Sequence, residues 1–247
     1  MGRSSTGRRS AFHEYQVDRN TWELIDPFPG QSRMFTSVIQ IGNFVYVGLG
    51  ASHPRDFSTN FQNFYRLNPI NKSWFALTTF PGTPRHFASV MIHNELAYII
   101  GGRGTNLTDT FWEFDPRNQA WRQLDIPLPG GYFFPFTIDG QGYLLSPNVV
   151  FRFEGDRWTG IPKRVDVIGN EFTVIDNKLY FGFDSSFGEV GIFDPITEEI
   201  EVQRLGILSD QPLTHIFTID DIAYFYVPDE RNPDLGTLWS FDPGASR

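Results

Sequence analysis

Residues 111–121 read FWEFDPRNQAW: aromatic residues lead into an Asp-Pro pair, and a tryptophan follows six residues after Asp115. Aspartate at such a position can hydrogen-bond to its own backbone two residues on, and the proline holds φ at about −65°. The stretch therefore predicts an aromatic strand, a tight turn and a second strand that carries Trp121.

The same segment recurs along the chain. FHEYQVDRNTW (12–22) and FYRLNPINKSW (64–74) also end in a tryptophan, Trp22 and Trp74. Weaker copies lie at 151–158, 191–200 and 238–246. The polar residues at the turns are 39 to 50 positions apart, and they are Asp18, Asn68, Asp115, Glu154, Asp194 and Asp242. A period of about 40–50 residues is typical of a repeat array or a propeller.

A second pattern keeps the same phase. Short apolar segments, each after a polar or glycine-containing turn, carry a tyrosine, and these residues are Tyr46, Tyr98, Tyr143, Tyr180 and Tyr224. Each unit therefore predicts a first strand, a tyrosine strand, an aromatic strand and a tryptophan strand. Such a sheet has two apolar faces and is expected to pack against neighbouring sheets. We interpret the repeated tyrosines and tryptophans as packing between blades rather than as ligand contacts.

The strongest copy, residues 81–124, resembles a kelch repeat. Its arginine-led first strand, the Gly101–Gly102 pair after the tyrosine strand, Asp115 and Trp121 all match that pattern. Residues 33–77 are similar, with GLG in place of the double glycine. Later units depart from the pattern, with Ser146-Pro147, Phe183-Asp184 and Val227-Pro228 where glycines are expected. The resemblance, which extends to propellers of the galactose oxidase central-domain type, implies an all-β, kelch-type β-propeller of four-stranded blades.

The chain begins and ends within a unit, which leaves the number of blades open. We favour six blades, of which the first and the last are incomplete. The alternative is a closed ring of five blades with one aromatic strand left over. Residues 1–11 are expected to be a mobile N-terminal segment or loop, and residues 12–247 a single propeller domain.

Composition narrows the classes of partner. The net charge of −9 argues against a nucleic-acid surface, which needs clustered Lys and Arg. The chain has no cysteine, and its five histidines lack ligand spacing, so we expect no metal and no cofactor. No apolar run approaches the about 20 residues of a membrane span, so we expect a soluble protein, and a monomer. The start MGRSSTGRRSAF lacks the apolar region of a secretory signal. Two locations stay open: the protein is cytoplasmic, or it is exported and an upstream signal has been removed.

Ligand-binding candidates lie where first strands begin and after the double glycine. They are Arg33, Arg85, His86, Arg103, Tyr132 and His215, and Phe35, Phe133, Asp166 and Thr214 lie at similar positions. Resemblance to kelch binding domains implies that arginines there can face a pocket and grip carboxylates. The alternative is that they pair within the blades. The loops 50–63 and 228–237 are the longest and the best placed for ligand contact.

Two functions follow from the resemblance. The first is a module that binds a protein segment or a glycan through its rim loops and central channel, and we expect this rather than an enzyme. The second is an enzyme similar to a sialic-acid mutarotase, in which His86, Asp166 or Glu171 would act with Arg85. Copper-radical galactose oxidase chemistry is excluded because it needs a cysteine, and the chain has none.

Overall fold

A computed structural model of the chain was analysed. It describes residues 3–4, 7–8, 12–25, 27–53, 55–105, 110–127, 134–146, 149–161, 171–182, 189–204, 215–228 and 236–244. The described part contains strands and two short 3₁₀ turns, Val17–Arg19 and Phe57–Thr59, but no α-helix. None of its helical segments is long and apolar enough to cross a membrane. The chain divides into two compact units, Met1–Leu128 and Pro129–Arg247.

The first unit holds a terminal pair of short strands, a hairpin and two complete blades. Its strands are β1 (Arg3–Ser4), β2 (Gly7–Arg8), β3 (Phe12–Gln16), β4 (Thr21–Ile25), β5 (Ser37–Ile41), β6 (Phe44–Gly48), β7 (Phe64–Asn68), β8 (Ser73–Ala76), β9 (Ser89–His93), β10 (Leu96–Ile100), β11 (Phe111–Asp115) and β12 (Ala120–Leu124). β1 pairs with β2 and β3 with β4, while β5 to β8 and β9 to β12 each form a four-stranded antiparallel sheet in chain order.

The second unit holds two complete blades and a three-stranded sheet. Its strands are β13 (Phe134–Ile138), β14 (Gln141–Leu145), β15 (Val150–Phe153), β16 (Trp158–Ile161), β17 (Phe172–Ile175), β18 (Lys178–Phe181), β19 (Glu189–Asp194), β20 (Glu199–Arg204), β21 (His215–Ile219), β22 (Ile222–Pro228) and β23 (Gly236–Phe241). β13 to β16 and β17 to β20 are four-stranded, and β21 to β23 form the incomplete sheet.

The fold is the predicted all-β propeller of four-stranded blades. An inner hairpin, the first two strands of a blade, occurs five times among the described residues, from β5–β6 to β21–β22. Among the described residues, β3 and β4 pair only with each other, so β3 is an aromatic strand beyond the five units that have an inner hairpin. The structure therefore supports the five-bladed alternative, and the preference for six blades is not supported.

Both kinds of hairpin turn follow from local sequence. Four of the five inner hairpins turn through a pair of residues with positive φ, such as Asn94 and Glu95 at 50° and 62°, which suits the twist of antiparallel strands. The outer hairpins use the predicted Asx turn, in which Asp115 Oδ1 accepts a hydrogen bond from the Arg117 N–H at 2.9 Å. The pairing register corrects one alignment: Gln16, not Asp18, is the counterpart of Asn68, because each is the last residue of its strand to pair across the turn.

Four of the five repeated tyrosines are buried, Tyr46, Tyr98, Tyr143 and Tyr180, and Tyr224 is half-buried. The ring centroid of Tyr46 lies 5.7 Å from that of Phe114 in the next blade. Trp121 packs across blades, with its ring 5.1 Å from that of Phe64 on the preceding blade. Trp22 differs, because it is exposed and stacks on Tyr15 of its own hairpin at 5.0 Å.

Candidate functional site

The Arg85 side chain is buried against backbone carbonyls. Its Nε donates to the Thr83 carbonyl at 2.9 Å, and its Nη1 donates to the Gly101 carbonyl at 2.8 Å and to Thr110 Oγ1 at 2.7 Å. The guanidinium also lies 5.0 Å from the centroid of the Phe80 ring. The side chain therefore braces the first strand against the end of the second strand of the same blade.

Arg33 makes the same contacts one blade earlier. Its Nε donates to the Gln31 carbonyl at 3.1 Å and its Nη1 to the Leu49 carbonyl at 3.0 Å, while the Phe61 ring centroid lies 4.2 Å away. Leu49 adopts a φ of 56°, close to the 60° of its counterpart Gly101. In both blades the residue whose carbonyl faces the arginine adopts a left-handed conformation, which favours glycine and which Leu49 adopts at a cost in strain.

Desolvation lowers the pKa of each arginine to about 10, so both stay charged at neutral pH. Nε and Nη1 of each arginine donate to backbone carbonyls, whereas Nη2 of Arg33 is buried without a hydrogen-bond partner among the described residues. A ligand-binding role for Arg33 and Arg85 stays a prediction, and the proposals below do not depend on it.

Two residues later, the equivalent Phe35 and Phe87 form an exposed pair. Their rings stack with centroids 3.9 Å apart, and the Phe87 N–H donates to the Phe35 carbonyl at 3.2 Å. The side chains are 40% and 55% exposed, although their φ angles are 56° and 54°. A bulky residue with positive φ is strained by roughly 1–3 kcal/mol. The fold holds two phenylalanines in an unfavourable conformation at its surface.

His86 lies beneath this pair with no exposed surface. Its imidazole centroid is 5.0 Å from the Phe87 ring, 6.0 Å from the Phe35 ring and 5.9 Å from the Phe57 ring, to which it is nearly parallel at 14°. We call Phe35, Phe57, His86 and Phe87 the aromatic platform. Within the described residues, Nε2 of His86 is buried without a hydrogen-bond partner.

The loop after β6 completes the platform. Asp56 caps the 3₁₀ turn that carries Phe57, because its Oδ1 accepts from the Ser58 N–H at 3.1 Å. The Asn60 side chain reaches across to the next blade, where Nδ2 donates to the Pro84 and Arg103 carbonyls at 3.3 and 3.2 Å. This loop is thus fixed to the neighbouring blade at the position of His86.

Arg103 supplies positive charge at the edge of the platform. Its backbone forms both hydrogen bonds of a bridge with His86, and its exposed guanidinium lies 5.2 Å from the Phe57 ring centroid. Burial, together with the Arg103 charge, lowers the pKa of His86 below its ordinary value. The imidazole is therefore neutral at pH 7, and the site combines apolar rings, one neutral hydrogen-bonding group and one cation.

The structure brings together some of the candidates and leaves others undecided. His86, Arg103 and Phe35 meet at the platform, and so does the 50–63 loop. Tyr132, Phe133, Asp166, Thr214 and residues 229–235 of the 228–237 loop lie outside the described residues, as does the His215 side chain. Glu171 is described at the start of β17, where its backbone carbonyl accepts from the Gly182 N–H at 3.1 Å. The described residues contain no group of three or more His, Asp or Glu side chains able to hold a metal.

The sequence reasoning did not single out Phe57, Asn60 or Phe87. Phe87 carries a signal that could have identified it, because Arg33-Met34-Phe35 and Arg85-His86-Phe87 repeat the same spacing. Asn60 and Phe57 lie in the loop between β6 and β7, which is longer than the corresponding loop between β10 and β11 of the next blade. Their approach to His86 depends on the packing of the two blades and has no signature in sequence.

The chain is similar in sequence to the Kelch motif family and to several known proteins. The Kelch motif family matches residues 84–125, the blade that carries His86 and Phe87. A putative F-box/kelch-repeat protein of Arabidopsis thaliana is 25% identical over 210 residues, which cover 78% of this chain and 59% of that protein. An N-acetylneuraminate epimerase of Yersinia pestis is 30% identical over 122 residues, covering 44% of this chain and 29% of that enzyme. The corresponding Escherichia coli enzyme is 27% identical over 174 residues, covering 63% and 43%.

The solved structure of YjhT has the same fold. It superposes with a TM-score of 0.62 at 16% identity, covering 78% of this chain and 71% of that one. The chain spans less than two thirds of the length of the curated relatives given above.

Proposed function

Because the chain belongs to the kelch-repeat β-propellers, whose rims and loops carry their functions, we propose that it is a binding module and that its aromatic platform holds a glycan. The observation that carries this proposal is the Phe35–Phe87 pair, whose rings are 3.9 Å apart and exposed. Exposed aromatic surface with strained backbone conformations is typical of ligand-binding positions.

The chemistry of the platform suits a sugar. A pyranose ring has a C–H face that packs on an aromatic ring and hydroxyl groups at its rim that hydrogen-bond, so it needs apolar surface beside a few polar groups. The Phe35–Phe87 pair supplies the surface, while His86 and Arg103 supply polar groups next to it. The relatives named N-acetylneuraminate epimerase support a sugar over a protein segment as the ligand.

Binding to immobilised glycans and titration by NMR test the proposal. Phe87→Ala removes half of the ring pair and is expected to weaken sugar binding by up to about tenfold, since an aromatic contact contributes about 0.5–1.5 kcal/mol. Phe75→Ala is the matched control, because Phe75 is 46% exposed but lies on the outer strand β8. Equal effects of the two variants, or binding of acidic or apolar peptides in preference to all sugars, would refute the glycan assignment.

The second candidate is a sugar-ring enzyme similar to those epimerases. One specific observation favours it: the lowered pKa of the buried His86 imidazole keeps it unprotonated at pH 7, which is the form that a general base needs. In this case the protein would speed the exchange of sialic-acid anomers followed by proton NMR, and His86→Gln would abolish that effect. An unchanged exchange rate with added protein would exclude the enzyme and leave the binding module standing.

A further inference from the structure

The hydrogen bonds around Asn60 fix the orientation of its side-chain amide. Nδ2 donates to two backbone carbonyls, those of Pro84 and Arg103, at 3.3 and 3.2 Å. A flipped amide would turn its oxygen toward both carbonyls, so that three acceptors would face each other. Oδ1 therefore points at the His86 ring, where it lies 2.8 Å from Nδ1.

This orientation determines the tautomer of His86. An amide oxygen only accepts, so Nδ1 must carry the proton. In a neutral imidazole the other nitrogen is then an acceptor. The buried Nε2, without a partner among the described residues, thus carries a lone pair and no hydrogen.

A buried acceptor without a donor costs about 1–3 kcal/mol, and such groups call for a functional explanation. Three aromatic rings surround this imidazole, and Phe87 has the more exposed ring of the stacked pair at 55%. Rotation of an exposed side chain is fast, on the picosecond to nanosecond scale. A sugar seated on the platform can therefore reach Nε2 through a rotation of the Phe87 ring that keeps the ring in contact with the sugar.

We infer that His86 determines ligand specificity in the proposed glycan site by accepting a hydrogen bond at Nε2 from a hydroxyl group of a neutral sugar, with Asn60 as the residue that positions its proton. This rests on the proposed function. A carboxylate brings no donor and meets the lone pair of Nε2 unfavourably. The platform is thus selective for an uncharged hydroxyl at this position, even though Arg103 lies nearby.

The first test uses the free protein. In the full chain labelled with ¹⁵N-histidine, long-range proton–nitrogen NMR distinguishes the protonated from the unprotonated ring nitrogen. At pH 7 the His86 ring is expected to show a protonated Nδ1 and an unprotonated Nε2. A proton on Nε2 would overturn the inference whether or not any sugar binds.

The second test uses two probes that differ only at C6, methyl β-glucoside with a hydroxymethyl group and methyl β-glucuronide with a carboxylate. We expect the wild-type protein to bind the glucoside at least about tenfold more tightly. In Asn60→Asp the new carboxylate would stabilise the doubly protonated imidazole and turn Nε2 into a donor, so the preference is expected to move toward the glucuronide. Asn71→Asp is the control, because Asn71 caps an exposed turn by accepting from Ser73 and should leave the preference unchanged.

The outcomes separate the two proposals. A wild-type preference for the glucuronide, or an unchanged preference in Asn60→Asp, would overturn the role of His86 while the glycan module stands. Failure of the protein to bind sugars of any kind would overturn the proposed function, and the ¹⁵N measurement would still decide the protonation of His86.

Discussion

Alanine is usually a more stable replacement than glycine, but the backbone strain at Phe87 is expected to reverse this order of stability. Replacing the phenylalanine by either residue removes the same ring, which is 55% exposed. A phenylalanine presents about 200 Å² of side-chain surface, so a little under half of it, about 90 Å², is buried. At about 25 cal/mol per Å², its loss destabilises both variants by about 2 kcal/mol.

The two variants differ in the backbone. At a φ of 54°, alanine keeps a strain of about 1–2 kcal/mol that glycine does not have. Glycine in turn loses about 0.5–1 kcal/mol of chain entropy relative to alanine. We therefore expect Phe87→Gly to be more stable than Phe87→Ala by about 0.5–1 kcal/mol, which is about 1–4 °C in melting temperature for a chain of this size.

Urea unfolding of the two variants, followed by tryptophan fluorescence, measures this difference directly. Phe75 provides the matched comparison, since it is 46% exposed and lies in β8 with no positive φ. At position 75 the alanine variant should have a free energy of unfolding about 0.5–1 kcal/mol higher than that of the glycine variant. If alanine is also the more stable residue at position 87, the backbone there is not strained and the argument from strain to ligand binding fails.

Two further predictions concern buried charge. Arg85→Ala removes three hydrogen bonds made by a buried cation, so we expect the free energy of unfolding, measured by heat or urea, to fall by about 3–5 kcal/mol; a loss below about 1 kcal/mol would contradict the bracing role. The pKa of His86 lies below its ordinary value in the folded chain, so the unfolded chain takes up a proton first as the pH falls below about 6.5. Stability is therefore expected to fall between pH 7 and pH 5, and less steeply in His86→Gln; parallel profiles for the two proteins would count against a buried neutral imidazole.

The sequence was sufficient to predict the blades because their signals are local. The Asx turn at Asp115 and the aromatic strand before it lie within a few residues of each other, and the spacing between copies of this pattern predicted where each blade lies in the sequence. The alignment of Asp18 was wrong because the first hairpin turns through a 3₁₀ segment, Val17–Arg19, that lies beyond the paired Gln16. The blade number was harder to predict, because the sequence of the β3–β4 hairpin follows the same pattern as the aromatic and tryptophan strands of a complete blade.

The candidate site was predicted only in part, because its contacts cross between blades. His86 and Arg103 stand where strands begin and end, which the repeat revealed. Asn60 makes the hydrogen bond to His86 Nδ1, yet it is separated from His86 by 26 positions and reaches it through the long loop between β6 and β7. No periodic pattern can identify such a contact, because it depends on the path of a single loop.

At the platform, several residues depart from the usual rules of local backbone conformation. Most residues with positive φ lie in hairpin turns, where the conformation is required by the chain reversal, as at Lys72 and Gln119. Phe35 and Phe87 precede the first strands, β5 and β9, and serve no such turn. The His86 imidazole, whose Nε2 has no partner among the described residues, lies beside the same two rings. Single substitutions could remove the backbone strain at Phe35 and Phe87 and the buried acceptor of His86, so selection for stability alone does not explain them. A ligand that contacts both the two rings and the His86 nitrogen explains why these features occur on one surface.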